Sequence, residues 1–297
     1  MSEKILEKIE ERYKRGEISR ETYEAIVNEY RNHADEEQEE EQEDLPKGGI
    51  GISGMGKTGD VKGEYLRISG AGKVEGNVDV GEVSISGSAK IEGNVKTRVM
   101  GCSGACSVEG DIDASSLTVS GSMKCEGNVR AERIAFSGGV GVDGDISADV
   151  LESFGGTKVE GKIHAKKTVK MRGSLKASDI DTGIFDGEGK LSADGKVKAK
   201  DFRLELERDG SSDVEMIDAE RIRIKAGSRR GVFSRIFGRS GGLMKAGEIR
   251  GKEIDIENTN ADLVEGDKVN IGPGCRIKVL RARNATIHES SKVIKRE

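Results

Sequence analysis

Two columns of glycine limit what this chain can fold into more than any other feature. Gly70, Gly87, Gly104, Gly121, Gly138 and Gly155 recur every 17 residues. Gly76, Gly93, Gly110, Gly127, Gly144 and Gly161 recur with the same step, each behind an acidic residue. Two independent columns in one register mark a repeat protein, in which each unit buries its apolar surface only against its neighbours.

The apolar residues explain the period. Each coil carries three i, i+2 pairs, for example Val83 with Ile85, Ala89 with Ile91, and Val95 with Thr97. Alternation of this kind belongs to a strand with one buried face. The spacing predicts three short strands and three corners per coil, stacked at about 4.8 Å around a narrow triangular core. Aromatics are 3% of the chain and Trp is absent, so Val, Ile, Leu and Ala must fill that core. The glycines are expected at two corners, where a positive φ or a tight bend is easiest without a Cβ.

The repeat weakens further on but continues. Val169 and Met171 followed by Leu175 and Ala177 read as a coil that has lost its middle strand. Phe202/Leu204/Leu206, Ile222/Ile224 and Ile254/Ile256 keep the alternation, and Leu263–Gly272 reads as further coils ending near Val293. The expected fold is all-β, a parallel triangular β-helix (solenoid) over 47–297, preceded by a small α-helical hairpin.

That hairpin is expected over residues 1–33. Ile5, Leu6, Ile9 and Tyr13, then Tyr23, Ile26, Val27 and Tyr30, fall at helical spacing. Gly16 can end the first helix and Ser19 can cap the second. So short a pair buries its apolar stripes poorly alone, which suggests an oligomerisation element. Residues 34–46 hold eight acidic residues and read as a solvated linker. At about 227–242 a basic, apolar insertion interrupts the strands. Its Arg229, Arg230, Arg235 and Arg239 stand beside Phe233, Ile236 and Phe237, a mixture suited to an anionic membrane surface or a partner groove.

Catalytic chemistry is hard to place. The three histidines are His33, His164 and His288, and His164 lies in an outward column with Asp113 and Arg130. Cys102, Cys106 and Cys125 lie in inward columns, where a thiol behaves as a small hydrophobe. Glu75, Glu92, Glu109, Glu126, Asp143 and Glu160 form an acidic column, with Lys73, Lys90, Lys124 and Lys158 two residues away on the same face. That arrangement predicts a salt-bridged face rather than a cation ladder. Gly54-Met55-Gly56-Lys57-Thr58 lacks the spacing of a phosphate-binding loop. The net charge of −5, with both signs interspersed, gives no reason to expect nucleic acid. No catalytic, cofactor or metal site is expected. The charged N-terminus and the lack of a long apolar run point to a cytoplasmic protein, with the basic loop as a route to a membrane.

Ile68–Val78 and Ile85–Val95 read Ile-Ser-Gly-x-Gly/Ala-Lys-Val/Ile-Glu-Gly-Asn-Val and resemble the repeats of bactofilins, polymer-forming cytoskeletal proteins. Ile52-Ser53-Gly54 with Gly63-Glu64-Tyr65, and Ala261–Gly266 with Ile271–Cys275, resemble the larger bacillar and archaeal members. The resemblance spans roughly Gly48–Val279. It implies a right-handed β-helix that stacks end to end into nucleotide-free filaments scaffolding other proteins. The chain itself is then the main partner, with membrane or protein partners engaged through the loop or the hairpin. Ile50, Ile52, Val279 and Ile287 are the expected end-coil contacts, since an uncapped coil presents unpaired strand edges. The alternatives are a solenoid enzyme, either a hexapeptide acyltransferase or a polysaccharide-active one, and a binding module that does not polymerise. The lack of a positioned His and of Trp counts against the enzymes.

Overall fold

Val78, Val80, Val83 and Ile85 are all buried although they lie on one continuous strand, Val78–Ile85. Strict alternation would turn Val83 outward. The strand therefore bends between Val80 and Val83 and carries two faces of the coil. This geometry repeats through Val95–Cys102, Ile112–Val119 and Val129–Phe136, each followed by a four-residue strand such as Ser88–Ile91. The computed structural model describes residues 48–208, 210–227 and 242–297, which belong to one compact unit, Gly48–Glu297. The hairpin and the acidic linker expected over 1–46 lie outside the described residues.

Every strand pairing runs parallel, each coil on the next: Leu66 on Val83, Val83 on Met100, Met100 on Leu117. Three inward faces follow. Face one carries pairs such as Val83/Ile85, face two Ala89/Ile91 and face three Val95/Thr97. The β-helix and its 17-residue step are as the columns predict, but each coil holds two strands instead of three. Two residues, such as Gly81 and Glu82, separate faces three and one, too few for a separate turn. The backbone stays extended and skips one ladder partner, going from Val80↔Thr97 to Glu82↔Val99. Thr97 Oγ1 donates to the Val99 carbonyl at 3.1 Å across this bend, and Thr182 does the same to Ile184 at 3.3 Å.

The glycine columns have a different cause from the expected one. Through the regular coils neither column has positive φ; only Gly173 and Gly189, at the late end of the first, do so, with φ of 109° and 130°. What excludes a side chain is the coil beneath. A Cβ on Gly104 would lie 1.9 Å from the Gly87 carbonyl oxygen, and one on Gly121 would lie 1.9 Å from that of Gly104. Corner stacks on corner, backbone against backbone.

No face is lost at Val169. Leu151 pairs with Val169, Ser153 with Met171 and Thr157 with Leu175, so Val169/Met171 is face one and Leu175/Ala177 face two. Ile180/Thr182 then supplies face three. One extra residue at the Lys166-Lys167 bend lengthens this step to 18 residues, and the next, Val169 to Phe185, shortens to 16. The columns shifted by one place, which in the sequence imitates a missing strand. Beyond this point strands run on around the corners, as in Ile180–Leu206. Phe185 stacks on Phe202 inside, centroids 4.9 Å apart at 11°. Gly187 leaves room for them, since a Cβ there would meet Phe185 and Leu204 at 2.9 and 3.0 Å.

Candidate assembly surfaces

The three outer faces differ in what they offer. Beside face two the expected ion-pair ladder is present. Lys73 Nζ lies 2.8 Å from both Glu75 and Glu92, and Lys90 lies 2.9 Å from Glu109 and 3.4 Å from Glu92. Lys124 continues it to Glu126 at 2.9 Å, and Lys158 pairs with Glu160. The lysines hold the Glu75, Glu92 and Glu126 carboxyls below their usual range, chiefly by hydrogen bonding, and Lys73 is raised in turn. Such pairs between exposed groups give solubility and register more than stability. His164 is exposed on its outward column, 3.8 Å from Asp181. All four cysteines are buried and free, as small core residues.

A second ladder, absent from the sequence reading, runs along the other glycine corner. Asn77 Oδ1 accepts from the Asn94 N–H at 2.9 Å, Asn94 Oδ1 from Asp111 N–H at 2.8 Å, and Asp111 Oδ1 from Asn128 N–H at 2.6 Å. Asn128 and Asp145 extend it to Lys162. It resumes at Asp179, whose carboxyl is held down by the Lys196 N–H at 2.8 Å and then by Lys162. The neighbouring glycines make room for it: a Cβ on Gly110 would sit 2.5 Å from Asn94 Oδ1. The alternating Asn and Asp in Gly-Asn/Asp-Val/Ile was the available signal.

Among the described residues, stacking stops at the two end coils. Ile50 and Ile52 pair with Leu66 and Ile68 on one side, and their other edge meets no strand among the described residues. Both are half-buried, whereas Ile68 directly above is fully covered. Ile287 pairs with Ile271 and Val293 with Ile277, and these too are half-buried above fully buried partners. Of the other expected end residues, Val279 is placed one strand in, beneath Lys295 of the strand Lys292–Arg296. Among the described residues, two of the three exposed large apolar side chains belong to these end coils, Met55 at 95% and Ile294 at 65% exposure. The basic insertion leaves after Gly227, whose N–H donates to the Leu206 carbonyl at 3.0 Å, and returns at Leu243. Arg229, Arg230, Phe233, Arg235, Ile236, Phe237 and Arg239 lie outside the described residues.

Residues 46–128 match the family model for bactofilin, described as polymer-forming cytoskeletal. By this match the chain is similar to bactofilins. The matched span covers the first end coil and the earlier of the coils that keep a 17-residue step. No curated protein and no solved structure matches the chain. Among the described residues no helix is long and apolar enough to cross a membrane.

Proposed function

We propose that this protein is a non-catalytic scaffold whose subunits join end to end, the first coil of one copy continuing the stack of the last coil of another. The observation that carries this reading is the matched state of the two ends. Among the described residues, each presents an open strand edge and half-covered isoleucines or valines of the same inward columns that are fully covered in the interior. Stacking would satisfy the edge groups and bury those side chains as any interior coil does. Ile50, Ile52 and Ile287 would lie in the joint, with Val279 just beneath it. The basic loop, through Phe233 and Phe237 with its arginines, would serve membrane or partner recruitment and not assembly itself.

The test is sedimentation with negative-stain imaging of the full chain, without nucleotide. Wild type should form filaments. Ile52→Glu and Ile287→Glu should each give discrete particles that keep their β-sheet circular dichroism. Variants that sediment like wild type would rule out end-to-end stacking. Phe233→Ser/Phe237→Ser should leave filaments intact and reduce binding to anionic vesicles.

A further inference from the structure

We propose that Cys102 and Cys106 are a redox-active pair that closes into a disulfide inside one coil, across the corner joining faces one and two. The register carries the case. Cys102 shares its column with Ile68 and Ser153, and Cys106 shares its column with Gly72 and Thr157. At three places along this corner the side chains at i and i+4 touch or would touch. Ser153 Oγ and Thr157 Oγ1 are 2.7 Å apart. A Cβ built on Gly72 lies 2.9 Å from Ile68 Cγ2, and one on Gly56 lies 3.0 Å from Ile52 Cγ2. A γ atom about 3 Å from the opposing Cβ is the relation that a sulfur holds across a disulfide, given an S–S bond of about 2.05 Å. The corner thus presents two cysteines in a bonding arrangement without rebuilding the backbone.

The surroundings favour this pair over any other. Cys102 Sγ is turned to the corner, 3.6 Å from the Gly104 carbonyl oxygen. The two thiols influence each other's ionisation, and burial pushes the Cys106 thiol up. Both thiols are buried, but Ser103 and Ala105 between them are exposed, so one short turn of chain separates the pair from solvent. Cys125 faces the other glycine corner, 3.4 Å from Gly110 O, and Cys275 lies 3.5 Å from Ile256 O.

The oxidant class is a small disulfide such as oxidised glutathione. One thiolate of the pair attacks one of its sulfurs, forming a mixed disulfide and releasing one glutathione thiolate. The pair's other sulfur then attacks the first, releasing the second glutathione thiolate. The two cysteines lose two electrons to the glutathione disulfide, and their two protons end on the two glutathione thiols. The proposal does not depend on end-to-end assembly.

The experiment equilibrates full-length protein with graded mixtures of reduced and oxidised glutathione until the composition is constant. Samples are acid-quenched, alkylated in denaturant and digested with trypsin. Val99–Lys124 holds Cys102 and Cys106 and no other cysteine. This peptide should appear unalkylated and lighter by two hydrogens, at an oxidant ratio at least about tenfold lower than for the denatured chain, because folding pre-positions the sulfurs. Cys125 and Cys275 should stay alkylatable, and Cys106→Ser should leave Cys102 as a thiol or a glutathione adduct. A native pair that remains alkylatable in every mixture, that oxidises no more readily than the denatured chain, or that bonds to Cys125 instead would overturn the proposal.

Discussion

The early coils, from Val61 to Val142, and the late ones, from Ile163 onward, build the same three faces by different means. In the early coils every step is 17 residues, and register is held at the corners by backbone-on-backbone glycine contacts and the Asn/Asp ladder. In the late coils the step varies: Phe202 to Ile222 spans 20 residues, and Ile254 to Val269 spans 15. The first late coils keep the corner contacts at Gly173, Gly189 and Asp179, and to these are added larger inward side chains, such as the Phe185–Phe202 stack, and individual ion pairs. Arg221 grips Asp201 with both ends of its guanidinium, and Lys225 sits 2.9 Å from both Asp255 and Glu257. A repeat can be specified at its corners, where spacing must be constant, or in its core, where it need not be. The bactofilin match, residues 46–128, begins ahead of the corner-specified half and ends inside it.

The sharpest way to break this contrast is in the late core. Phe185→Ala removes one ring of the stack and should cost about 3–5 kcal/mol, read as lost hydrogen-exchange protection centred on Ile180–Leu206. In the early coils the one fully buried aromatic is Phe136. Next, Gly104→Ala drives a Cβ into the Gly87 carbonyl and should cost about 2–4 kcal/mol, while Gly101→Ala, which meets nothing within 4 Å, should be nearly neutral in the same urea titration. Third, Asn128→Ala removes the acceptor for the Asp145 N–H and should cost about 1 kcal/mol, with Asn128→Asp recovering most of it.

The smallest effect belongs to the charged face. Lys73→Ala should leave the urea midpoint unchanged within error. Acid acts on both halves, because Glu75, Glu92, Glu126, Asp179 and Asp201 all have folded-state pKa values below their ordinary ones. A depressed carboxyl contributes stability above its unfolded pKa and loses it as pH falls through the folded value. Stability should therefore hold from pH 8 to about 5 and decline only below about pH 4. A decline already between pH 7 and 5 would show that other groups dominate.

Much of this architecture could be read from residue columns because the early coils repeat without error. Face membership from Leu66 to Val159, the salt-bridged lysine and glutamate column and the inward cysteines follow from the 17-residue step and alternation. Alternation cannot reveal the bend at Gly81-Glu82, since a slip of one place between two pairs looks the same whether the chain turns or stays extended. The single inserted residue at Lys166-Lys167 displaced two faces at once. The glycines were correctly placed but for a conformational reason, whereas close packing between coils 17 residues apart is invisible in local sequence. Ile50, Ile52 and Ile287 lie on end coils, but Val279 shows why strand order near a terminus is harder: the last short strand, Lys292–Arg296, lies over it.

The Asn/Asp ladder also acts as a ruler on the gene. Each rung is built from an Oδ1 and the N–H of the residue one coil later, so neighbouring rungs are interchangeable. Cutting out Asn94–Gly110 would bring the Asp111 N–H onto Asn77 Oδ1 and close the gap with a contact of the same kind. Losing half that length would instead send inward residues to the wrong face of every later coil. The early half can therefore grow or shrink over generations in whole turns, each changing the rod by about 4.8 Å, while intermediate lengths are closed to it.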